Sequence, residues 1–380
     1  MKIQSDEYYL KEYVETRGLK PRTYTTMKYA LNHYTQFQKA TLHELISEAD
    51  QEEEQGIRWK NRRLKRRLIA YRNHLKNEMS INSAKAYFSK VKGFYNHHEI
   101  EIGKLPAWNL KNANVPAPIT PEDLPTREII RQAVEIADPI MRAIILFAVS
   151  TGMTRSEILN LKIGDFLTAT QEYHQADNIQ DALQKLLDYP GEMVPCFESR
   201  RVKNNKYIVT FATPEATLEV CNYLLIRDKR NHKYHRPALS NIDQLFKISG
   251  NTYIDKFTAL NDALNLGKRG HFARLRGHML RKYNATMLEK YGMSREYVRT
   301  LQGKSNGAVD DVYFYVDKSA LKKEYLKAID GVLILSEVKK VNQYSDEYLE
   351  LKKENEQLRE QNRLIEKLER EIENIKKWYI

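Results

Sequence analysis

Apolar positions recur at helical spacing along most of this chain. In residues 1 to 104, Tyr9, Tyr13 and Val14 fall on one face of a helix. The chain breaks at Gly18, and the pattern restarts after Pro21 through RTYTTMKYALNHYTQFQKA. The stretch IRWKNRRLKRRLIAYRNHLKN spaces Trp59, Leu64, Leu68, Ile69, Tyr71 and Leu75 among many basic residues. SINSAKAYFSKVKGFYNHHEI predicts one more helix, with Ser80 or Asn82 placed to cap it. No strand alternation of any length interrupts this region. It predicts a small basic helical bundle, residues 1–104.

The pattern then changes. Residues 105–125, LPAWNLKNANVPAPITPEDLP, hold five prolines and no helical period, so they predict an extended linker. Helices resume at Thr126. REIIRQAVEIA and PIMRAIILFAVSTGM are apolar enough to be buried, and Gly152 is placed to end the second of them. Ser156 is read as the cap of the next helix, SEILNLKIGDF, which puts Arg155 in a tight turn between two helices. Residues 168–195 are polar, contain the short helical run IQDALQKLLDY and read as an insertion before a strand. FESRRVKNNKYIVTFATPEAT has strand alternation around an Asn-Asn turn, the pattern of a β-hairpin. A helix, EATLEVCNYLLIRDKR, follows Pro214, and residues 228–270 are expected to be irregular, with basic patches at 227–233 and 268–269. Leu321 to Val338 predicts an apolar helix, interrupted at Gly331.

From about residue 343 the chain is dense in Glu, Lys, Gln and Leu. Leu351, Leu358, Ile365 and Ile372 recur every seven residues, and Leu368 and Ile375 add the second apolar position. This is a coiled-coil spacing, weakened in its first half by Asn355 and Asn362. A helix of this length would run roughly 54 Å. The alternative is a single amphipathic helix folded back on its own chain.

Composition narrows the partner. The 380 residues include 62 Lys and Arg against 50 Asp and Glu, a net charge of +12 with a pI near 9.3. A basic chain of this kind fits a polyanion, nucleic acid above all. Two cysteines, Cys196 and Cys221, make neither a disulfide framework nor a cysteine zinc set. No run of about 18 apolar residues predicts a membrane span. The charged start MKIQSDEYYLKEYVETRG lacks a signal-peptide core, so the expected compartment is the reducing cytoplasm, at the nucleoid.

The candidate chemistry lies between His271 and Tyr315. His278 and Arg281 are three residues apart and share a helix face. The loop Gly303-Lys304-Ser305 follows, and Tyr313 lies ten residues past Gly303. Arginine and histidine can hold a phosphate, lysine can donate a proton, and a tyrosine hydroxyl can attack phosphorus. The order H-x-x-R, G-[H/K]-S, Tyr resembles the tyrosine recombinase (phage-type integrase) family. So does the earlier run Thr151-Gly152-Met153-Thr154-Arg155-Ser156-Glu157, which matches the family's T-G-x-x-x-S-E turn. The run G-K-S-x-x-x-V-D-D-x-Y-F is similar to archaeal mobile-element integrases.

The resemblance implies a mainly α fold. An N-terminal helical core-binding domain would join an α+β catalytic domain at residues 126–338, and the two would clamp a duplex. A coiled-coil-like tail at 339–380 would lie outside the family pattern. It implies that Arg155 and Arg281 grip the non-bridging phosphate oxygens and that His278 contacts the same phosphate and helps take the tyrosine proton. A hairpin lysine, Lys203 or else Lys206, would protonate the leaving 5′ oxygen. Lys304 stands where the family has His or Trp and would contact phosphate. Tyr313 would be the nucleophile, with Tyr315 the competing tyrosine. Glu157 would be a buried partner fixing the arginine turn. The product would be a 3′-phosphotyrosine ester that stores the bond energy, with no metal, ATP or other cofactor. The chain holds no P-loop and no carboxylate cluster of the two-metal kind.

The partners implied are double-stranded recombination sites and further copies of the chain, a dimer on each site and a tetramer in synapsis. The function implied is integration or excision of a mobile element such as a virus, plasmid or provirus. Three alternatives remain: a non-catalytic DNA-binding regulator on the same scaffold, a host chromosome resolvase, and a type IB topoisomerase. The tail and the proline-rich hinge disfavour the last.

Overall fold

The computed structural model describes residues 5–110, 120–200, 207–269, 272–304 and 317–335. The chain divides into two compact units, Met1–Pro118 and Ile119–Ile380, so the division falls inside the proline-rich stretch.

Among the described residues the first unit has five α-helices: α1 (Asp6–Thr16), α2 (Pro21–Gln38), α3 (Leu42–Glu54), α4 (Arg63–Glu78) and α5 (Ile81–His97). Their starts follow local chemistry. Ser5 and Ser80 cap α1 and α5, and Thr41 with Glu44 forms a capping box on α3. Helix α4 has no cap of its own. Buried Glu52 from α3 accepts from the Arg63 amide at 2.7 Å and supplies negative charge at the positive helix end. The core centres on tyrosines: Tyr34 and Tyr71 pack edge to face at 4.7 Å, and the Tyr34 and Tyr95 hydroxyls bond at 3.0 Å.

Two details change the reading of this unit. The first residues of the expected linker are docked. Pro106 O accepts from Arg72 at 2.7 Å, and Trp108 packs on Phe88. The basic run on α4 is also partly committed. Arg67 grips Glu48 with two bonds of 2.9 and 2.8 Å, and Arg62 is paired with Glu53.

The second unit holds α6 (Arg127–Ile136), α7 (Pro139–Thr151), α8 (Arg155–Asn160), α9 (Ile163–His174) and α10 (Ile179–Leu187). It continues with a hairpin of β1 (Cys196–Arg200) and β2 (Tyr207–Phe211), then α11 (Pro214–Lys233) and α12 (Gly250–Ala263). A minimal pair, β3 (Lys268–Arg269) and β4 (Phe272–Ala273), leads into α13 (Gly277–Lys290), α14 (Arg295–Leu301) and α15 (Lys318–Ala328). Strands β1 and β2 run antiparallel, with Cys196 opposite Phe211 and Arg200 opposite Tyr207. The mainly α reading with one small hairpin therefore describes this fold.

Helix α7 is the centre of the unit. It is buried from Ala143 through Thr151, as an all-round apolar sequence requires, and it packs against α11 and α13. Asp138 caps its start, with Pro139 at the first helical position. Gly152 ends it in the left-handed region, φ 61°.

Three expectations need correction. Thr154, not Ser156, caps α8; its hydroxyl and the Glu157 carboxylate form a reciprocal box, and Arg155 is the first residue of the helix. Residues 228–270 are not irregular throughout: α11 runs on to Lys233, and α12 adds 14 residues. Its apolar positions Tyr253, Phe257 and Leu260 have helical spacing behind the cap Ser249, but Asn, Thr and Asp between them hide the period. Arg227, read as part of a basic patch, is buried and donates to the Gln244 carbonyl at 2.6 Å. The coiled-coil spacing at 343–380 lies outside the described residues. No described helix is long and apolar enough to cross a membrane.

Candidate active site

The site is built on the carboxyl end of α7. A helix end leaves carbonyls without intrahelical partners, and buried carbonyls need donors. Here each is met by a side chain from a different element. Asn284 of α13 donates to Val149 O at 2.8 Å and to Ser150 O at 3.0 Å. The Tyr325 hydroxyl of α15 donates to Ser150 O at 3.1 Å. Thr210 of β2 donates to Thr151 O at 2.7 Å. Arg281 of α13 donates to Gly152 O. Four consecutive carbonyls thus tie the hairpin, α13 and α15 to the turn that launches α8.

Arg281 does more than close that turn. Its second terminal nitrogen donates to Gln302 O at 2.5 Å, and Glu157 lies 3.7 Å from the first. The side chain is only 7% exposed. Glu157 in turn accepts from the Thr154 amide at 2.7 Å. The buried carboxylate therefore holds the start of α8 and the α13 guanidinium together, as expected of a partner that fixes the arginine turn. Gln302 completes the lock, donating to Arg281 O at 2.9 Å and to Asn284 Oδ1 at 3.0 Å. A Cβ at Gly152 would sit 2.3 Å from that Asn284 oxygen, so glycine is required here by packing as well as by φ.

Arg155 is half-buried at the first position of α8. No ion pair or hydrogen bond engages its guanidinium among the described residues. Its charge is felt by Tyr253, whose hydroxyl burial drives well above the ordinary tyrosine range while Arg155 opposes the shift. That hydroxyl presses against the start of α13, where a Cβ on Gly277 would lie 2.0 Å away. Arg155 and the α13 terminus carrying His278 thus flank the same tyrosine.

His278 is exposed on the first turn of α13. Packing on one side, then the charges of Lys282, Arg276, Arg281 and Lys304, hold it below the ordinary histidine value. An imidazole so placed is neutral near pH 7 and able to take a proton. Lys304 is exposed just after Gly303, which adopts φ 58°. The arrangement is a cation-rich patch at helix ends around one imidazole held below its ordinary value, which is suited to an anionic, phosphate-sized group.

Of the six residues expected to act, Arg155, His278, Arg281 and Lys304 converge on this patch. Lys203, its alternative Lys206, Tyr313 and Tyr315 lie outside the described residues. Sequence reading missed Asn284, Gln302, Thr210, Tyr325 and Tyr253. Asn284 and Gln302 are amides in apolar surroundings, which was the one available hint that they serve buried backbone.

No protein-family model and no curated protein matches the chain. Among solved structures, it is similar to XerH site-specific recombinase bound to difH substrate, with 16% identity, 85% of this chain and 84% of that one covered, and a TM-score of 0.49. It is also similar to a lambda integrase tetramer bound to a Holliday junction, at 15% identity, 89% and 80% coverage and a TM-score of 0.47. The Tn1549 transposon integrase in complex with transposon right end DNA gives 14% identity, 86% and 100% coverage and a TM-score of 0.45.

Proposed function

We propose that this chain is a site-specific DNA recombinase that cleaves and rejoins strands through a 3′-phosphotyrosine intermediate. The observation that carries the reading is the neutral His278 set among Arg276, Arg281, Lys282 and Lys304, beside the turn that presents Arg155. A free tyrosine hydroxyl has a pKa of about 10 and is a poor nucleophile at neutral pH. The site therefore has to stabilise charge developing on phosphorus. Arg155 and Arg281 hold the non-bridging oxygens, and His278 takes the tyrosine proton. The Tyr313 oxygen forms the new bond to phosphorus as the bond to the 5′ oxygen breaks. Lys203 gives that oxygen its proton. A 5′ hydroxyl from a second duplex later attacks the ester and reverses the sequence.

In this reading Met1–Pro118 is a DNA-gripping unit. With Arg62 and Arg67 held closely by carboxylates, phosphate contact falls to Lys65, Arg66 and the exposed Arg63, whose contact with Glu48 is a loose 3.8 Å. Assembly on paired sites, in which the heptad-spaced tail takes part, and a role in moving a genetic element belong to the same proposal.

The test is a nicked suicide substrate, on which the cleaved strand departs and the adduct accumulates. Wild-type protein should form a covalent adduct that maps to Tyr313, and Tyr313→Phe should bind DNA without forming it. Binding with no adduct from wild-type protein would favour a non-catalytic regulator. An adduct that survives Tyr313→Phe but not Tyr315→Phe would move the nucleophile by two residues.

A further inference from the structure

Outside this site, the first unit carries three metal-ligating side chains in one place. His33 of α2 and His74 of α4 each point Nε2 at the same oxygen of Glu78, and each distance is 3.1 Å. His74 and Glu78 are one helical turn apart on α4, and the three donor atoms all lie within 4.8 Å of one another. A tetrahedral zinc ion with ligands at about 2.0–2.1 Å sets neighbouring donor atoms about 3.3 Å apart. Both histidine-to-Glu78 separations are within a few tenths of an ångström of that spacing.

The hydrogen bonds around His33 are compatible with a cation between them. The Tyr71 hydroxyl donates to Ala30 O at 3.4 Å. Its oxygen is then left to accept from His33 Nδ1, 3.2 Å away. A proton on Nδ1 leaves a lone pair on Nε2, facing the Glu78 carboxylate. A positive centre between them, a divalent ion or a second proton on the imidazole, satisfies both, and a metal titration separates the two. The Tyr71 contact is also the kind of outer partner that fixes the tautomer of a metal-bound histidine.

The surroundings fit as well. Phe37 stacks on His74 at 4.4 Å, and Tyr87 meets His33 edge on at 5.7 Å. These rings fix both imidazoles and keep water from their flanks. The side chains stay 26%, 31% and 49% exposed for His33, His74 and Glu78, so an ion can enter from solvent and keep water in the remaining position. Cysteine spacing cannot reveal such a site, because none of its ligands is a cysteine and one sits 41 residues before the next.

We propose that His33, His74 and Glu78 form a binding site for a zinc-type divalent ion that clamps α2 to α4. The mixed imidazole and carboxylate donors favour zinc over calcium or magnesium, which take oxygen ligands. The site is independent of the strand-transfer chemistry and stands whether or not that reading is correct.

The test uses the full chain, first stripped with a chelator and then titrated with Zn²⁺ alone by calorimetry. Co²⁺ serves as a second probe, because tetrahedral coordination gives it intense visible absorption. Wild-type protein should take up an equivalent of Zn²⁺ that His74→Gln, His33→Asn and Glu78→Gln each weaken tenfold or more. Binding should release protons and fall off in acid, because the imidazoles must be unprotonated. Circular dichroism of the metal-free variants should match wild type, since all three side chains are partly exposed. The cluster Glu12, His97 and His98 is the control, and His97→Asn should leave this equivalent in place. No Zn²⁺ uptake by wild-type protein would overturn the proposal. Uptake that survives all three substitutions, or that is lost only in His97→Asn, would overturn it equally.

Discussion

Arg155 and Arg281 are expected in one role by their motifs, yet the structure predicts that alanine at each will affect stability very differently. Arg281→Ala removes the donor to Gly152 O, removes the 2.5 Å bond to Gln302 O, and leaves buried Glu157 without its 3.7 Å partner. Breaking a buried ion pair on one side costs about 3–5 kcal/mol. Stranded carbonyls cost about 1–3 kcal/mol each, but they belong to the same lock and overlap with the first figure. We therefore expect a loss of about 3–5 kcal/mol in the larger unit. At about 2–4 °C per kcal/mol for a unit of this size, its melting temperature should fall by roughly 6–20 °C. Arg155→Ala removes a half-buried cation with no ion pair among the described residues, at a helix start where positive charge is unfavourable. Its effect should stay within about 0.5 kcal/mol. Scanning calorimetry of the full chain separates the two cases, because only the transition of the larger unit should move. If Arg281→Ala melts with wild type, the lock around Gly152 is not what holds this turn. For the same reason Arg281→Lys is the better probe of chemistry: it keeps a charge beside Glu157 and loses the two-pronged grip.

Two further outcomes follow from the same network. Asn284→Ala strands the Val149 carbonyl and the Gln302 amide, and it should cost about 2–4 kcal/mol in urea denaturation; an unchanged midpoint would show that these bonds contribute nothing. The His278 value is depressed in the folded chain, so its contribution to stability is complete above about pH 6.5 and is lost as pH falls through the folded value. Denaturant midpoints measured from pH 8 to pH 5 should decline for wild type more steeply than for His278→Asn, and parallel curves would contradict the cationic surroundings.

Much of the architecture was legible because helices announce themselves locally. Apolar period, Ser, Thr and Asp caps, and Gly152 marked most of α1 to α11, and the Asn-Asn turn between alternating residues marked the hairpin. The order of Arg155, His278, Arg281 and Lys304 was legible for the same reason: three of these side chains sit on helix starts or within one turn of them, so their spacing survives in the sequence. Helix α12 was lost because too few of its positions are apolar, and the α8 cap was misplaced by two residues because Thr154 and Ser156 are equally good capping types.

Tertiary structure alone decided what each of those residues is for. Nothing local says that Asn284, Tyr325, Thr210 and Arg281 all serve the last three carbonyls of α7 and that of Gly152, because that demand arises only once the helix end is buried. Nor does sequence say that Arg62, just before α4, and Arg67 on it are held by Glu53 and Glu48 of α3, with Arg63 only 3.8 Å from the same Glu48. The motif specifies which groups are present. Burial, which forces every buried polar atom to find a partner across long sequence distances, decides which of them stay available for a ligand.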